Sequence, residues 1–347
     1  LQDWRTGDNG MTLYELSAYG VIGAITPSTN PAETLICNTI GMLAAGNAVF
    51  FSVHPGAKNL SRELVSELNQ VIAKSIGIEN LIVTLREPSI ESAQEMMLHP
   101  DVSLLVVTGG PGVVKQALQS GKKVIGAGAG NPPAFVDKTA DVKKAAQDIV
   151  LGASLDNNIL CIAEKSVVAM RQIEPQLVQE MVKAGCVLVD NQQDIQRLVD
   201  LTVLPNGTPN KQFVGKNASV ILDAAHISYN GDPRLIIMRT PKDHPFAVIE
   251  MLMPILPVVT VDSFDEGLDV CLKLEAGLHH TATMHSLNME RLNHMARKMK
   301  TSIFVKNGPS YAGLGFSGEG TTTFTIATPT GESTTSARCF ARRRRCC

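Results

Sequence analysis

Gly20-Val21-Ile22-Gly23-Ala24-Ile25-Thr26-Pro27-Ser28-Thr29-Asn30-Pro31 is a short apolar run that ends in a polar loop holding two prolines. Residues 21–25 do not alternate between apolar and polar. That is the pattern of a strand covered on both faces. Helical spacing follows over 32–45, with Leu35, Ile36, Ile40 and Leu43 apolar. The same unit repeats outward. Apolar runs at 48–53, 81–85, 103–108 and 123–126 are separated by helical patterns at 57–76, 90–98 and 112–119. In the longest of these, Leu60, Leu64, Leu68, Val71 and Ile72 fall at three- and four-residue steps. Five apolar strands joined by helices predict an α/β unit built on a parallel sheet. Such sheets bind ligands at the carboxyl ends of their strands, here the loops 26–31, 54–57 and 109–112.

A second α/β unit is expected over about 130–308, with strands at 164–170, 246–249, 258–261, 281–285 and 302–305. Its helices are predicted at 140–152, 174–184, 264–274 and 289–298, and 206–229 has no clear pattern. The ends differ from both units. Residues 321–328 alternate Thr with Phe324 and Ile326, and 11–18 read as another half-exposed strand. Two strands outside the cores predict arms that pair with each other or with a neighbouring subunit, and hence a homo-oligomer. The basic run Arg342–Arg345 reads as a solvated tail, or as a strip facing an acidic partner surface.

Composition narrows the function classes. The chain has 347 residues, which favours two domains. Hydrophobic residues make up 44% and charged residues 18%, a globular balance. A net charge of −2 gives no overall field for nucleic acid or an anionic membrane. No apolar run reaches the length of a membrane span. The polar start Leu1-Gln2-Asp3-Trp4-Arg5 is unlike a signal peptide and has no initiator Met, which reads as a fragment or trimmed chain.

Seven scattered cysteines without a C-x-x-C pair point to a reducing cytosol and give no support for zinc. His279-His280 and His285 could suggest a metal, but adjacent histidines on a strand point to opposite faces, which is poor ligand geometry, so no metal is expected. Gly126-Ala127-Gly128-Ala129-Gly130 lacks the spacing of a dinucleotide fingerprint and reads as a tight backbone turn. Cys37 and Cys271 look like core positions. Cys161 follows Asp156-Asn157-Asn158-Ile159-Leu160 and precedes an apolar strand. On these residues alone an inert buried thiol is favoured over a nucleophile.

Whole motifs shift that balance. Ile25-Thr26-Pro27-Ser28-Thr29-Asn30-Pro31, Thr108-Gly109-Gly110-Pro111-Gly112, Cys161 and Glu250-Met251-Leu252-Met253-Pro254 occur in this order. From about Gly10 onward the chain resembles the aldehyde dehydrogenase superfamily. The resemblance implies an α/β fold: a Rossmann-type cofactor domain, an α/β catalytic domain and a β-strand oligomerisation arm. The boundaries expected are 1–19 for an arm strand, 20–128 for the NAD-binding domain, 129–310 for the catalytic domain and 311–347 for a C-terminal segment. Part of the cofactor domain is expected to precede Leu1. The resemblance also implies that Cys161 is the nucleophile and that Asn30 helps build the oxyanion hole. Thr26, Pro27, Ser28, His54, Pro55, Gly109, Gly110 and Glu250 would bind NAD, with the Glu250 carboxylate on the nicotinamide ribose. His54 stands where many relatives carry Lys.

Residues 25–33, Asn307-Gly308-Pro309-Ser310-Tyr311-Ala312-Gly313 and the Arg-rich ending are similar to the CoA-acylating enzymes of ethanolamine and propanediol utilisation. These work on short aldehydes inside bacterial microcompartments, so coenzyme A, a shell or an alcohol dehydrogenase are the partners implied. Hydrolytic members carry a Glu general base in a Glu-Leu-Gly-Gly segment, whereas the matching position here is Ala127. Without that base water attack on a thioester is slow, while a thiol needs less activation. Acyl transfer to CoA is therefore expected over release of a free acid. A non-catalytic binding protein that kept the fold is the reading from another class. His280 is a further candidate proton acceptor, with a core histidine as its alternative.

Overall fold

The computed structural model describes residues 2–346; Leu1 and Cys347 lie outside the described residues. The chain forms two compact units, residues 1–128 with 321–347, and residues 129–320.

The first unit begins with strands β1 (Gln2–Gly7) and β2 (Gly10–Ala18). The α/β layers follow: β3 (Val21–Ile25), α1 (Pro31–Ala44), β4 (Ala48–Ser52), α2 (Lys58–Ile76), β5 (Ile82–Thr84), α3 (Ile90–Leu98), β6 (Val102–Thr108), α4 (Pro111–Leu118) and β7 (Lys123–Ala127). The five strands β3 to β7 pair in parallel in the order β5-β4-β3-β6-β7. Their side chains feed two cores, because successive residues of a strand face opposite ways. Ile22, Ala24, Leu104 and Val106 pack with Leu35, Met42 and Phe51 on one face. Ile25, Leu105 and Val107 pack with Met96, Met97 and Val114 on the other. The apolar stripes of the helices are only half used. In α2, Leu64, Leu68 and Ile72 pack on the sheet, whereas Leu60 and Val71 are exposed, as are Ile36 and Ile40 of α1.

The second unit is the continuous segment. It holds β8 (Pro133–Val136), α5 (Val142–Ser154), β9 (Ser166–Met170), α6 (Glu174–Lys183), β10 (Cys186–Leu188), α7 (Gln192–Thr202) and α8 (Ala218–Ala224). Next come β11 (Leu235–Arg239), α9 (Pro245–Val248), β12 (Ile255–Val261), α10 (Phe264–Glu275), β13 (Thr281–His285), α11 (Met289–Met299) and β14 (Ile303–Lys306). All seven strands are parallel, in the order β10-β11-β12-β9-β8-β13-β14.

The structure departs from several expectations. Residues 246–249 are not a strand: His244 caps the short helix α9 with Nδ1, and Pro245 sets its first turn. β12 lies between β9 and β11, and the periodicity did not reveal β11. His279 and His280 precede β13 rather than lying on it, and His279 has φ 53°. Cys271 is fully buried as expected, but Cys37 is only half-buried.

The chain then returns to the first unit through β15 (Ile326–Ala327), β16 (Ser333–Thr334) and β17 (Ala341–Cys346). The half-exposed strand expected at 321–328 shrinks to β15, paired with β16. The arm is instead β1-β2-β17, with the arginine run forming its third strand. Strand geometry lets the arginines alternate: Arg344 reaches Glu15, Arg343 pairs with Asp3, and Arg343 and Arg345 lie over the Tyr14 ring. The run is therefore a paired strand rather than a loose tail, while its arginine side chains are exposed to solvent as expected. Asn47 fixes this return. Its Nδ2 donates to the Met42 and Phe340 carbonyls, and its Oδ1 accepts from the Tyr19 and Gly20 N–H groups. Phe340 packs so closely on α1 that a Cβ on Gly41 would lie 2.9 Å from its ring. Among the described residues no helix is long and apolar enough to cross a membrane.

Candidate active site

In the first unit, numbering its sheet strands along the chain gives the order 3-2-1-4-5, so the winding reverses between β3 and β6. That reversal is where doubly wound sheets bind ligands. Thr26, Pro27 and Ser28 leave β3 there, Gly109 and Gly110 leave β6, and His54 and Pro55 leave the neighbouring β4. Thr26 is buried; its N–H donates to the Ser52 carbonyl at 3.3 Å, while its Oγ1 has no partner. Gly110 precedes α4 without a side-chain cap, so the first-turn N–H groups face the loop. A Cβ on Gly110 would meet nothing within 4 Å, so the backbone is open to a ligand. An unsatisfied hydroxyl, an uncapped helix N-terminus and an open glycine suit the phosphates of a dinucleotide. His54 is exposed, and its Nδ1 is engaged with the Gly56 N–H at 3.1 Å.

Asn30 is the residue before α1 and is buried. It makes no capping bond. Its Oδ1 accepts from Thr29 Oγ1 at 3.0 Å, which sets the carboxamide with Nδ2 as its donor edge. Ala127 ends β7 and is buried, with no carboxylate at that strand end.

In the second unit, Cys161 stands on a strained turn. Asp156, Asn157 and Asn158 all have left-handed backbone, with φ of 48°, 52° and 64°. Asn and Asp tolerate this region best, yet such residues still cost about 1–3 kcal/mol each. Side-chain bonds hold the turn. Asn157 Nδ2 donates to the Gly215 carbonyl and to Asn217 Oδ1. Asn158 Nδ2 donates to the carbonyls of Ala153 and Glu164. Beneath it, buried Lys165 donates to the Asn158 carbonyl (2.6 Å), Asn158 Oδ1 (2.7 Å) and the Leu160 carbonyl (2.9 Å). Buried Glu164 accepts from Ser310 N–H (2.8 Å) and Ser310 Oγ (2.7 Å).

Gly130 joins these parts. Its N–H donates to Glu250 Oε1 at 3.3 Å. A Cβ there would lie 2.7 Å from the Cys161 carbonyl oxygen and 2.8 Å from His280 Cγ. Only glycine lets the three segments meet. His280 is buried; its Nδ1 contacts Thr281 Oγ1 at 2.9 Å and its Nε2 has no partner.

The electrostatics follow from burial. Desolvation, then the Glu250 carboxylate, push the Cys161 thiol up to about 12, against the pull of Lys165 and the N–H groups of Cys161 and Ile162. Burial lowers Lys165 to about 8, opposed by Glu250, and raises Glu164 to about 7. Burial and then Lys165 hold His280 down at about 4, so its imidazole is neutral. Burial also raises Glu250.

The structure thus groups Cys161 and Glu250 in one unit, and Thr26, Pro27, Ser28, Asn30, His54, Pro55, Gly109 and Gly110 at one sheet end of the other. Gly130, Glu164 and Lys165 were missed by motif reading. Two charges opening a wholly buried strand were the available signal.

A sheet with an anion-suited switch point, in one chain with a held cysteine, is the architecture of a dinucleotide-dependent enzyme that forms a covalent cysteine intermediate. The aldehyde dehydrogenase family profile matches residues 3–327, and the chain belongs to that family. Among curated relatives, a CoA-propanoylating propanal dehydrogenase of Citrobacter freundii is 56% identical over 342 residues, covering 98% of this chain and 74% of the relative. Two solved structures superpose along the whole chain. One is the propionaldehyde dehydrogenase of Rhodopseudomonas palustris with bound CoA and an acylated cysteine (51% identity, TM-score 0.98, 79% of that chain). The other is an engineered glycolyl-CoA reductase with bound NADP+ (51% identity, TM-score 0.98, 78% of that chain).

Proposed function

We propose that this chain oxidises a short-chain aldehyde, propionaldehyde or acetaldehyde, and transfers the acyl group to coenzyme A through a thioester on Cys161. The observation that carries the reading is the presentation of Cys161 on a turn braced by Asn158 and buried Lys165. The sulfur attacks the aldehyde carbon and a tetrahedral hemithioacetal forms. The Cys161 N–H meets the charge that develops on oxygen, and the resemblance gives the Asn30 carboxamide the second donor role. Losing one such donor typically costs about 3–4 kcal/mol of barrier. NAD(P), when bound, takes up the hydride.

Gly109 and Gly110 suit close approach of phosphates, and Thr26, Pro27, Ser28, His54 and Pro55 line the same sheet end. Glu250 is assigned to the nicotinamide ribose. In the second half-reaction the CoA thiol attacks the thioester carbonyl, and Cys161 leaves as thiolate. The neutral imidazole of His280 is a candidate acceptor for the thiol proton. With Ala127 in place of a carboxylate, nothing at that position activates water.

The outer edges of β1 and β17 in the arm favour assembly with further copies of the chain. The similarity to ethanolamine and propanediol utilisation enzymes favours a bacterial microcompartment as its location, beside shell or alcohol dehydrogenase partners. The test is NADH absorbance with propionaldehyde and NAD, with and without CoA. Sustained turnover only with CoA, and a single-turnover burst without it, is expected. Equal turnover without CoA would mean that water resolves the thioester.

A further inference from the structure

Lys165 is a buried ammonium whose three N–H donors all go to one four-residue turn. Its acceptors are the Asn158 carbonyl, Asn158 Oδ1 and the Leu160 carbonyl, at 2.6, 2.7 and 2.9 Å. The Leu160 carbonyl belongs to the peptide unit whose N–H is that of Cys161, and it also accepts from the Ala163 N–H at 3.1 Å. No cis peptide bond occurs among the described residues. In a trans peptide the C=O and N–H point opposite ways. Fixing the carbonyl toward Lys165 therefore fixes the Cys161 N–H away from it. An ammonium on that carbonyl also polarises the same peptide unit.

Burying a lysine is costly, so a purely structural brace would be served by a neutral donor. The cation here faces a set of titratable groups: Cys161, Glu164 and Glu250 on the acidic side, and the neutral ring of His280.

We propose that Lys165 is a positioning residue for the nucleophile: its ammonium locks the Leu160–Cys161 peptide so that the Cys161 N–H is presented to the oxyanion, and sets a positive charge under the sulfur that favours thiolate. The inference rests on Cys161 being the nucleophile. It separates from a packing role because its electrostatic part depends on the lysine's own proton. Burial lowers Lys165 to about 8, so that part fades as pH rises past that value.

The experiment is the rate of Cys161 alkylation by iodoacetamide between pH 7 and 10, with the labelled peptide identified by mass spectrometry. Wild type is compared with Lys165→Gln, which keeps two donors without the charge, and with Lys165→Met, which keeps neither. Thermal unfolding checks that each variant is folded. Expected for Lys165→Gln is alkylation about tenfold slower at pH 7, with the gap closing above pH 8 to 9. Aldehyde oxidation should fall in kcat more than in KM for NAD, and further in Lys165→Met. A gap of constant size at every pH, or none, in a folded variant overturns the inference. So does the failure of both variants to fold, which would assign Lys165 to stability alone. Cys161→Ala is run in parallel. Its retained turnover would sink the nucleophile assignment itself, which an unchanged alkylation profile in Lys165→Gln would not.

Discussion

Replacing Gly130 with alanine adds one carbon at the junction of the nucleophile turn, the Glu250 loop and the His280 ring. The added Cβ would lie 2.7 Å from the Cys161 carbonyl oxygen and 2.8 Å from His280 Cγ. Comfortable contact is near 3.5 Å, so something must retreat by roughly 0.7 Å. Residue 130 itself is poorly free to move, because its N–H already reaches Glu250 Oε1 at 3.3 Å. The displacement falls on the Cys161 backbone or on the imidazole. A misplacement on the order of 1 Å at reacting groups can cost about a hundredfold in rate. We expect kcat/KM for propionaldehyde to fall by about 10- to 100-fold, equivalent to about 1.4–2.7 kcal/mol of barrier. Stability should fall by about 1–3 kcal/mol from overpacking. Initial NADH formation at saturating NAD and CoA measures the first, and denaturant unfolding the second. A folded Gly130→Ala protein with kcat/KM within twofold of wild type would refute the claim that this glycine sets the nucleophile's position.

Three further outcomes follow from the same geometry. Gly110→Ala opens into free space and has an ordinary φ of −64°, so unfolding should be unchanged while KM for NAD rises severalfold; an unaltered KM removes Gly110 from the cofactor loop. Ser310→Ala leaves the buried Glu164 carboxylate one donor short and should destabilise the protein by about 1–3 kcal/mol in urea titration. Glu164 also predicts a pH dependence. Its folded value, about 7, lies above the ordinary 4.5, so its contribution to stability is full below 4.5 and is lost as pH rises through 7. Relative to wild type, Glu164→Gln should therefore gain up to about 3 kcal/mol between pH 4.5 and 7 and stay level above it. A flat difference in the unfolding midpoint across that range would contradict the assignment.

The sequence carried much of the first sheet because its strands are continuous apolar runs and their loops hold the prolines and glycines that stop them. It was ambiguous where short apolar runs have no periodicity. Phe246-Ala247-Val248-Ile249 looks like a strand, yet His244 and Pro245 supply a helix start that outweighs it. The four arginines gave no strand pattern in sequence; strand pairing sets Arg343, Arg344 and Arg345 against Asp3, Glu15 and the Tyr14 ring and Arg342 against Tyr19, with their side chains still exposed. Cys161 and Glu250 were legible as motif positions. Gly130 was not, because its role depends on contact with residues 31, 120 and 150 positions further along the chain. Lys165 sat in plain view four residues past the cysteine, but only the fold shows that all its donors turn back.

The interrupted build of the first unit bears on how the molecule is made. A ribosome delivers β2 and Asn47 early, then about 200 residues of the other unit, and only afterwards Phe340 and β17. At about 5–20 residues per second the edge of β2, which ends at Ala18, waits on the order of 15–65 s for β17, which begins at Ala341. The continuous unit can fold during that interval. The split one carries an open strand edge and an empty socket for an aromatic ring throughout it, which makes residues 10–128 the segment that a chaperone would have to shield.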